Sequence, residues 1–182
     1  MPRDSNKKEM IYDDKYRPPK MKLKHQQMYM NIAQVLADTS SGVRLKVGAV
    51  LVRDNNILST GYNALPAAID GPLEDKVYSD GAGAWLDPET FHETFPYQDK
   101  IGYYKLVTKP EVRHAEKSVL MNLCKTNESA VGASLFVTAG CCKLCSIDIL
   151  DAGIKEVFYR DEFRDSSGLA YLRRNGVKVV KL

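Results

Sequence analysis

The chain of 182 residues is long enough for one domain with a sizeable hydrophobic core. Its apolar fraction of 44% and charged fraction of 27% are ordinary for a globular protein, and no run of about 18 apolar residues indicates a membrane span. The excess of Lys and Arg behind the net charge of +3 lies in residues 1–24, and the rest is close to neutral. A near-neutral body argues against a broad basic groove for a nucleic-acid polymer.

The four cysteines indicate metal binding rather than disulfide bonds. Three of them lie within residues 141–145, a poor arrangement for a disulfide framework but a good one for a metal in a reducing compartment. The N-terminus lacks the apolar core of a secretory signal. We therefore expect a cytoplasmic protein.

The first part of the chain predicts a flexible arm, a helix and a β-hairpin. Residues 1–20 are polar and mixed in charge, as in a flexible arm. Apolar residues at helical spacing predict an amphipathic helix from Met21 to about Thr39. Two short apolar runs, 47–52 and 57–62, flank a turn at 54–56 and predict the hairpin.

The loop between this helix and the hairpin, residues 39–46, is rich in hydroxyl groups and contains Arg44 and Lys46. Loops at strand ends often contact small ligands, so these two cations could receive a phosphate. A solvated loop without a ligand is the alternative.

Residues 64–112 have weak periodicity and many aromatic side chains. Structureless segments of this length are uncommon in compact domains unless they form lids or binding loops. We expect a lid or an oligomer contact whose aromatic side chains pack against their own domain or another subunit, rather than a platform for stacking bases. His92 and Glu93 lie in this segment and could bind a second metal ion.

In the second part of the chain, helices and strands alternate. This pattern indicates an α/β fold in which parallel strands carry helices on their faces. The predicted elements are a helix from Arg113 to about Lys125, a strand at Ala133–Thr138, a helix after Cys142 that ends at Ala152-Gly153, a strand at Glu156–Tyr159, a helix at Leu169–Asn175 and a strand at Val177–Val180.

Two short motifs, His114-Ala115-Glu116 and Cys142-Lys143-Leu144-Cys145, predict a zinc site. His114, Cys142 and Cys145 provide three ligands, and a catalytic zinc has three protein ligands and an open position, whereas a structural zinc has four. Both motifs precede helix-compatible runs, so the ligands should lie at two helix N-termini, where thiolates are stabilised. Glu116 is free to move protons. The alternative is a structural zinc completed by Cys141, Cys124 or His92.

With the strand Val47-Gly48-Ala49-Val50 and the turn Gly61-Tyr62-Asn63, these motifs resemble the deoxycytidylate (dCMP) deaminases, especially those of bacteriophages, within the cytidine deaminase superfamily. The resemblance covers residues 21–182 and implies a single deaminase domain, with a three-layer α/β/α fold around a mixed five-stranded sheet. It also implies hydrolysis of dCMP to dUMP and ammonia, which supplies thymidylate synthesis.

The resemblance further implies roles for individual residues and partners. His114, Cys142 and Cys145 would bind one zinc ion per chain, with Glu116 as the proton shuttle. The Ala115 backbone would contact the base and Asn63 would hold the deoxyribose. It implies a hexamer, dCTP and dTTP as effectors, Mg²⁺ accompanying a triphosphate effector, and the host cytoplasm if the protein is phage-encoded.

Three residues differ from the pattern of that family. Cys141 replaces the proline before the first cysteine, and Ala64 replaces the second glycine of the Gly-Tyr-Asn-Gly turn, which is associated with the effector site. Phe163 replaces a tyrosine that contacts the substrate phosphate; it can stack but cannot donate a hydrogen bond. Phosphate contacts would then come from Lys46, Arg44 or the loop with Arg160 and Arg164, and dCTP becomes a conceivable substrate.

Other functions are compatible with parts of the pattern. A tRNA adenosine deaminase shares the zinc motifs, but its substrate requires a broad basic face. A deaminase of free cytidine would have no use for the loop cations. A non-catalytic zinc module would have no use for Glu116 beside an open coordination position.

Overall fold

The computed structural model describes residues 21–79, 81 and 85–182, so the predicted arm at 1–20 lies outside the described residues. The elements follow one another as α1 (Leu23–Asp38), β1 (Gly48–Arg53), β2 (Asn56–Tyr62), β3 (Glu74–Tyr78), α2 (Pro88–Thr94), β4 (Tyr97–Gln98), β5 (Tyr103–Thr108), α3 (Ala115–Leu123), β6 (Ser134–Ala139), α4 (Lys143–Asp151), β7 (Glu156–Asp161), α5 (Ser167–Arg174) and β8 (Lys178–Lys181). Within that part of the chain, no helix is both long and apolar enough to cross a membrane.

The central sheet has five strands in the order β2-β1-β6-β7-β8. Strand β1 pairs antiparallel with β2 and β6, whereas β6, β7 and β8 are parallel. All six residues of β6 are buried, as expected for a central strand covered on both faces. The predicted mixed five-stranded sheet is confirmed.

Helices cover both faces of this sheet. Because side chains alternate along a strand, each of β1, β6 and β7 contributes to two separate cores. On one face α1 packs on the side chains of Val50, Val52, Phe136 and Phe158. On the other face α3, α4 and α5 enclose a larger core that includes Leu51, Leu135, Val137, Val157, Val119, Ile149 and Leu172. The result is the predicted three-layer α/β/α arrangement.

The hairpin of β1 and β2 turns through two residues, Asp54 and Asn55, with φ of 50° and 62°. Arg53 and Asn56 pair directly across it, so the turn is one residue shorter than the predicted 54–56. Positive φ at both central residues is the type I′ geometry that matches the twist of a hairpin, and aspartate and asparagine tolerate it.

The segment 64–112 has secondary structure that the sequence analysis did not predict. Strands β3, β5 and β4 form a separate antiparallel sheet, and α2 begins at Pro88, where the Asp87 side chain accepts hydrogen bonds from the backbone N–H groups of Glu89 and Thr90. We call these three strands the insert sheet. On one side of it Phe91 packs against Phe95 and Tyr103, with ring centroids 5.5 Å apart in each pair. Many of the aromatic side chains therefore pack within the segment itself.

Candidate active site

Both sequence motifs lie at helix N-termini, as predicted. His114 is the N-cap residue of α3 and Cys142 is the N-cap residue of α4, and both have extended backbone angles. Cys145 lies in the first turn of α4, and its backbone N–H donates to Cys142 Sγ at 3.5 Å. Unpaired N–H groups and the helix dipole favour negative charge there, which stabilises a thiolate.

The side chains of the two motifs converge on one point. His114 Nδ1 lies 3.5 Å from Cys142 Sγ and 3.4 Å from Cys145 Sγ. A tetrahedral zinc, with Zn–N of about 2.0–2.1 Å and Zn–S of about 2.3 Å, places nitrogen and sulfur about 3.6 Å apart. The observed separations fit this value, so one imidazole and two thiols can hold zinc with little movement.

No fourth ligand joins this cluster from residues 21–79, 81 and 85–182. There, the only group of at least three His, Cys, Asp or Glu with ligand atoms within 4.8 Å of one another is His114, Cys142 and Cys145. Cys124 is exposed at the end of α3, and His92 stacks edge-on against Tyr103 with ring centroids 5.3 Å apart. The geometry therefore favours a zinc site with an open position over a closed structural site, and it does not support a second metal at His92 and Glu93.

The environment of the sulfurs favours a thiolate at Cys142. Hydrogen bonding from Cys145 and then from His114 lowers the pKa of Cys142 to about 4. The same contact with Cys142 raises the pKa of His114, since a positive imidazole is stabilised beside a thiolate. Metal ligands must be deprotonated, so a site that already holds one thiolate is prepared for a cation.

Glu116 lies in the first turn of α3 and is only 4% exposed. Burial raises the pKa of its carboxyl group above the usual value of 4.5, because a charge is costly away from water. Cys141 is fully buried nearby, and burial together with the Glu116 charge raises the pKa of its thiol well above 9.0. Cys141, which replaces the proline expected before the first cysteine of the motif, is therefore a neutral thiol in the core.

A cavity of about 750 Å³ opens beside these groups. Seven of the nine predicted site residues line it: Arg44, Asn63, His114, Ala115, Glu116, Cys142 and Phe163. Cys145 is buried behind it. Lys46 is not part of its wall, and Lys46 Nζ instead donates to the Asp38 carbonyl at 3.4 Å.

Asn63 fixes one wall of the cavity. Its Nδ2 donates to the Leu45 carbonyl at 2.9 Å, and its Oδ1 accepts from the Val47 N–H at 2.8 Å. Each of these atoms keeps a second hydrogen-bonding position. Asn63 can therefore hold the loop before β1 and still contact a ligand.

The cavity also contains residues that the sequence analysis missed. Glu74, Val107 and Thr108 come from the insert sheet, and Glu162 comes from the loop after β7. The weak periodicity of segment 64–112 gave no sign that its strands would form a wall of the site. Arg164 also lines the cavity, whereas Arg160 contacts Gln34 and Asp161 instead.

Helix α5 supports the metal-binding loop from behind. A Cβ atom at Gly168 would lie 2.2 Å from the Cys141 carbonyl oxygen and 2.6 Å from the Cys142 carbonyl carbon. Real Cβ atoms do not come this close to backbone, so only glycine allows α5 to pack against this loop.

The fold and site together define a zinc-binding deaminase of the α/β/α type. A family model described as the cytidine and deoxycytidylate deaminase zinc-binding region matches residues 23–161. A deoxycytidylate deaminase of Mycobacterium phage D29 is 32% identical over 134 residues, which cover 74% of this chain and 92% of that protein. The chain belongs to the cytidine and deoxycytidylate deaminase family.

Two further relatives agree with this assignment. The human deoxycytidylate deaminase is 32% identical over 141 residues, covering 76% of this chain and 66% of that protein. The crystal structure of the dCMP deaminase from cyanophage S-TIM5, in complex with dCMP and dUMP, is similar with a TM-score of 0.70 and 31% identity, covering 89% of this chain and 99% of that one. The family and the His/Cys/Cys cluster make Zn²⁺ the cofactor.

Proposed function

We propose that this protein hydrolyses dCMP to dUMP and ammonia. The observation that carries the proposal is the convergence of His114, Cys142 and Cys145 beside the buried Glu116, at the edge of a cavity of about 750 Å³. Those residue types are the ligands and the proton shuttle of zinc-dependent base deaminases. The deoxycytidylate deaminases among its relatives support this substrate.

In this proposal His114, Cys142 and Cys145 hold the zinc ion. When bound, zinc supplies Lewis acidity that lowers the pKa of a water molecule towards neutrality. Glu116 accepts a proton from the attacking water and delivers protons to the ring nitrogen and the departing amine. Its burial suits this role, because a raised pKa brings the carboxyl closer to the pH at which it must both take and give a proton.

The rest of the cavity would bind the nucleotide. The backbone of Ala115 contacts the base, the side chain of Asn63 holds the deoxyribose, and Phe163 stacks against the ligand. Arg44 and Arg164 line the same cavity and are the proposed phosphate ligands. Arginine suits this task, since its planar guanidinium can donate two parallel hydrogen bonds to a phosphate.

We also propose assembly and regulation of the kind that the family resemblance implies. The protein would act in the cytoplasm as a hexamer, with dCTP and dTTP as effectors and Mg²⁺ accompanying a triphosphate. Trp85, which is 84% exposed, and Ile101, which is 70% exposed, support a subunit contact at segment 64–112, because large apolar side chains at a surface often mark interfaces. Sedimentation that detects only monomer at micromolar concentration would contradict the assembly.

The substrate is tested by measuring ammonia release from dCMP, dCTP, deoxycytidine and adenosine side by side, with and without dTTP. We expect the highest kcat/KM with dCMP. No release from dCMP, or a preference for adenosine, would refute the proposed substrate. An unchanged dCMP rate in the presence of dTTP would refute only the regulation.

A further inference from the structure

The insert sheet contributes a buried carboxylate to the cavity, at Glu74 in the first position of β3. Glu74 is 6% exposed, yet no lysine or arginine of the described residues lies within 4.0 Å of its carboxylate. Its hydrogen-bond partners are instead two backbone N–H groups of the loop before β1. The Val43 N–H donates to Oε1 and Oε2 at 3.2 Å and 3.3 Å, and the Arg44 N–H donates to Oε1 at 3.3 Å.

The neighbour of Glu74 across the insert sheet contacts the same arginine. Glu74 and Thr108 are directly opposite each other in the β3–β5 pair, so both side chains lie on the same face. Arg44 Nη1 donates to Thr108 Oγ1 at 3.3 Å. The insert sheet therefore holds Arg44 at two points, with Glu74 bonding its backbone and Thr108 its guanidinium.

This arrangement leaves the charge of Arg44 available for a ligand. Among the residues that the structure describes, no carboxylate lies within 4.0 Å of its guanidinium. Threonine is a neutral acceptor, so it orients the guanidinium without neutralising it. An arginine that is oriented but not paired in the wall of a cavity is suited to bind an anion.

We infer that Glu74 is a positioning residue that sets Arg44 for the phosphate of the substrate, so that the insert sheet determines the preference for a nucleotide over a nucleoside. This inference rests on the proposed function and extends it, since it requires Arg44 to contact the phosphate. Glu74 itself does not contact the reacting atoms. Its removal should weaken phosphate binding and leave the chemical step intact.

The test is a double-mutant cycle on kcat/KM for dCMP with Glu74→Ala, Arg44→Ala and the double variant. We expect Glu74→Ala to raise KM about tenfold with kcat changed by less than about threefold, because one charge-assisted contact is misplaced and the catalytic groups are untouched. The double variant should be no worse than Arg44→Ala alone. Glu74→Gln should recover most of the loss, because its amide oxygen can still accept from both N–H groups.

The matched control is Asp75→Asn, one residue along β3, whose side chain is 63% exposed and pairs with Lys109. It should behave as the wild type. If the effects of Glu74→Ala and Arg44→Ala multiply, or if Glu74→Ala lowers kcat with KM unchanged, the inference is wrong. If Glu74→Ala does not fold, Glu74→Asp replaces it in the same cycle, because a side chain that is one methylene shorter draws the carboxylate away from the two N–H groups. A wild-type protein that does not deaminate dCMP would refute the proposed function instead.

Discussion

His114 Nδ1 lies 3.5 Å from Cys142 Sγ, although the two residues are 28 positions apart and belong to different helices. Each is the N-cap residue of its helix, so the approach of the two helix ends brings the side chains together. The zinc site therefore depends on how α3 and α4 pack on the same face of the central sheet.

Removing one member of this cluster should remove the metal. Cys142→Ala leaves only an imidazole and one thiol, and we expect zinc content to fall from about one ion per chain to near zero, with loss of ammonia release. Metal analysis after dialysis measures this directly. Cys124→Ala, at an exposed cysteine outside the cluster, is the control and should retain zinc. A zinc content unchanged in Cys142→Ala would show that the metal binds elsewhere.

Gly168→Ala should disturb the site without changing any residue that lines the cavity. The new Cβ would lie 2.2 Å from the Cys141 carbonyl oxygen, so α5 or the metal-binding loop must move. We expect the free energy of unfolding to fall by about 1–3 kcal/mol and zinc to bind more weakly. Denaturant unfolding and zinc titration measure the two effects. The exposed Ala170, two residues along α5, provides the control: Ala170→Ser should change stability by less than about 0.5 kcal/mol.

The insert sheet should respond to acid through Asp99. A hydrogen bond from Lys76 is the main cause that lowers the pKa of this carboxyl group to about 2, with further bonds from the Ile101 N–H and the Tyr78 hydroxyl. This pKa is lower in the folded state than the ordinary value of 3.8, so the contact stabilises the insert sheet fully when the pH is above 3.8. The stabilisation is lost as the pH falls through about 2.

Hydrogen exchange of the β5 amides between pH 4 and pH 2 tests this prediction. Protection should decrease as the pH falls, and Asp99→Asn should already be poorly protected at pH 4. Since the contact between Lys76 and Asp99 is partly exposed, the difference in protection between Asp99→Asn and the wild type should become smaller at high salt. Asp70→Asn, in an exposed loop, is the control. Equal protection in Asp99→Asn and wild type would contradict the role of this contact.

The two arginines that line the cavity should affect substrate binding more than turnover. We expect Arg44→Ala and Arg164→Ala each to raise KM for dCMP about tenfold, because each removes a charge-assisted contact with phosphate. Steady-state kinetics separates KM from kcat, and the exposed Arg174→Ala provides a control for net charge. If both variants keep the wild-type KM, the phosphate is bound by other residues.

The central fold could be predicted because its signals are local and strong. The strand predicted at 133–138 occurs one residue later as β6, and the helix after Cys142 and the glycine after Ala152 occur as predicted, with Gly153 at a φ of 75°. The three inner strands, β1, β6 and β7, are short apolar runs that are largely buried, and buried runs are easily recognised. The metal cluster could be predicted equally well, because its ligands come from two short motifs whose residue types and spacing are specific.

The insert sheet could not be predicted in the same way. Strand β3 has one buried residue out of five, so its sequence does not show the alternation that identifies a half-buried strand. The role of Glu74 was also hidden, because its partners are backbone N–H groups about 30 residues earlier in the chain. Backbone groups carry no residue identity, so no motif could indicate this contact.

The role of Glu116 as the proton shuttle is tested most directly by Glu116→Gln, with ammonia release from dCMP and bound zinc measured on the same sample. We predict that the variant folds and retains its zinc, while kcat falls by at least about 10²-fold, because an amide cannot accept and return the proton. A variant that deaminates dCMP at the wild-type rate would contradict the role of Glu116. A variant that loses its zinc would instead show that this carboxylate holds the metal.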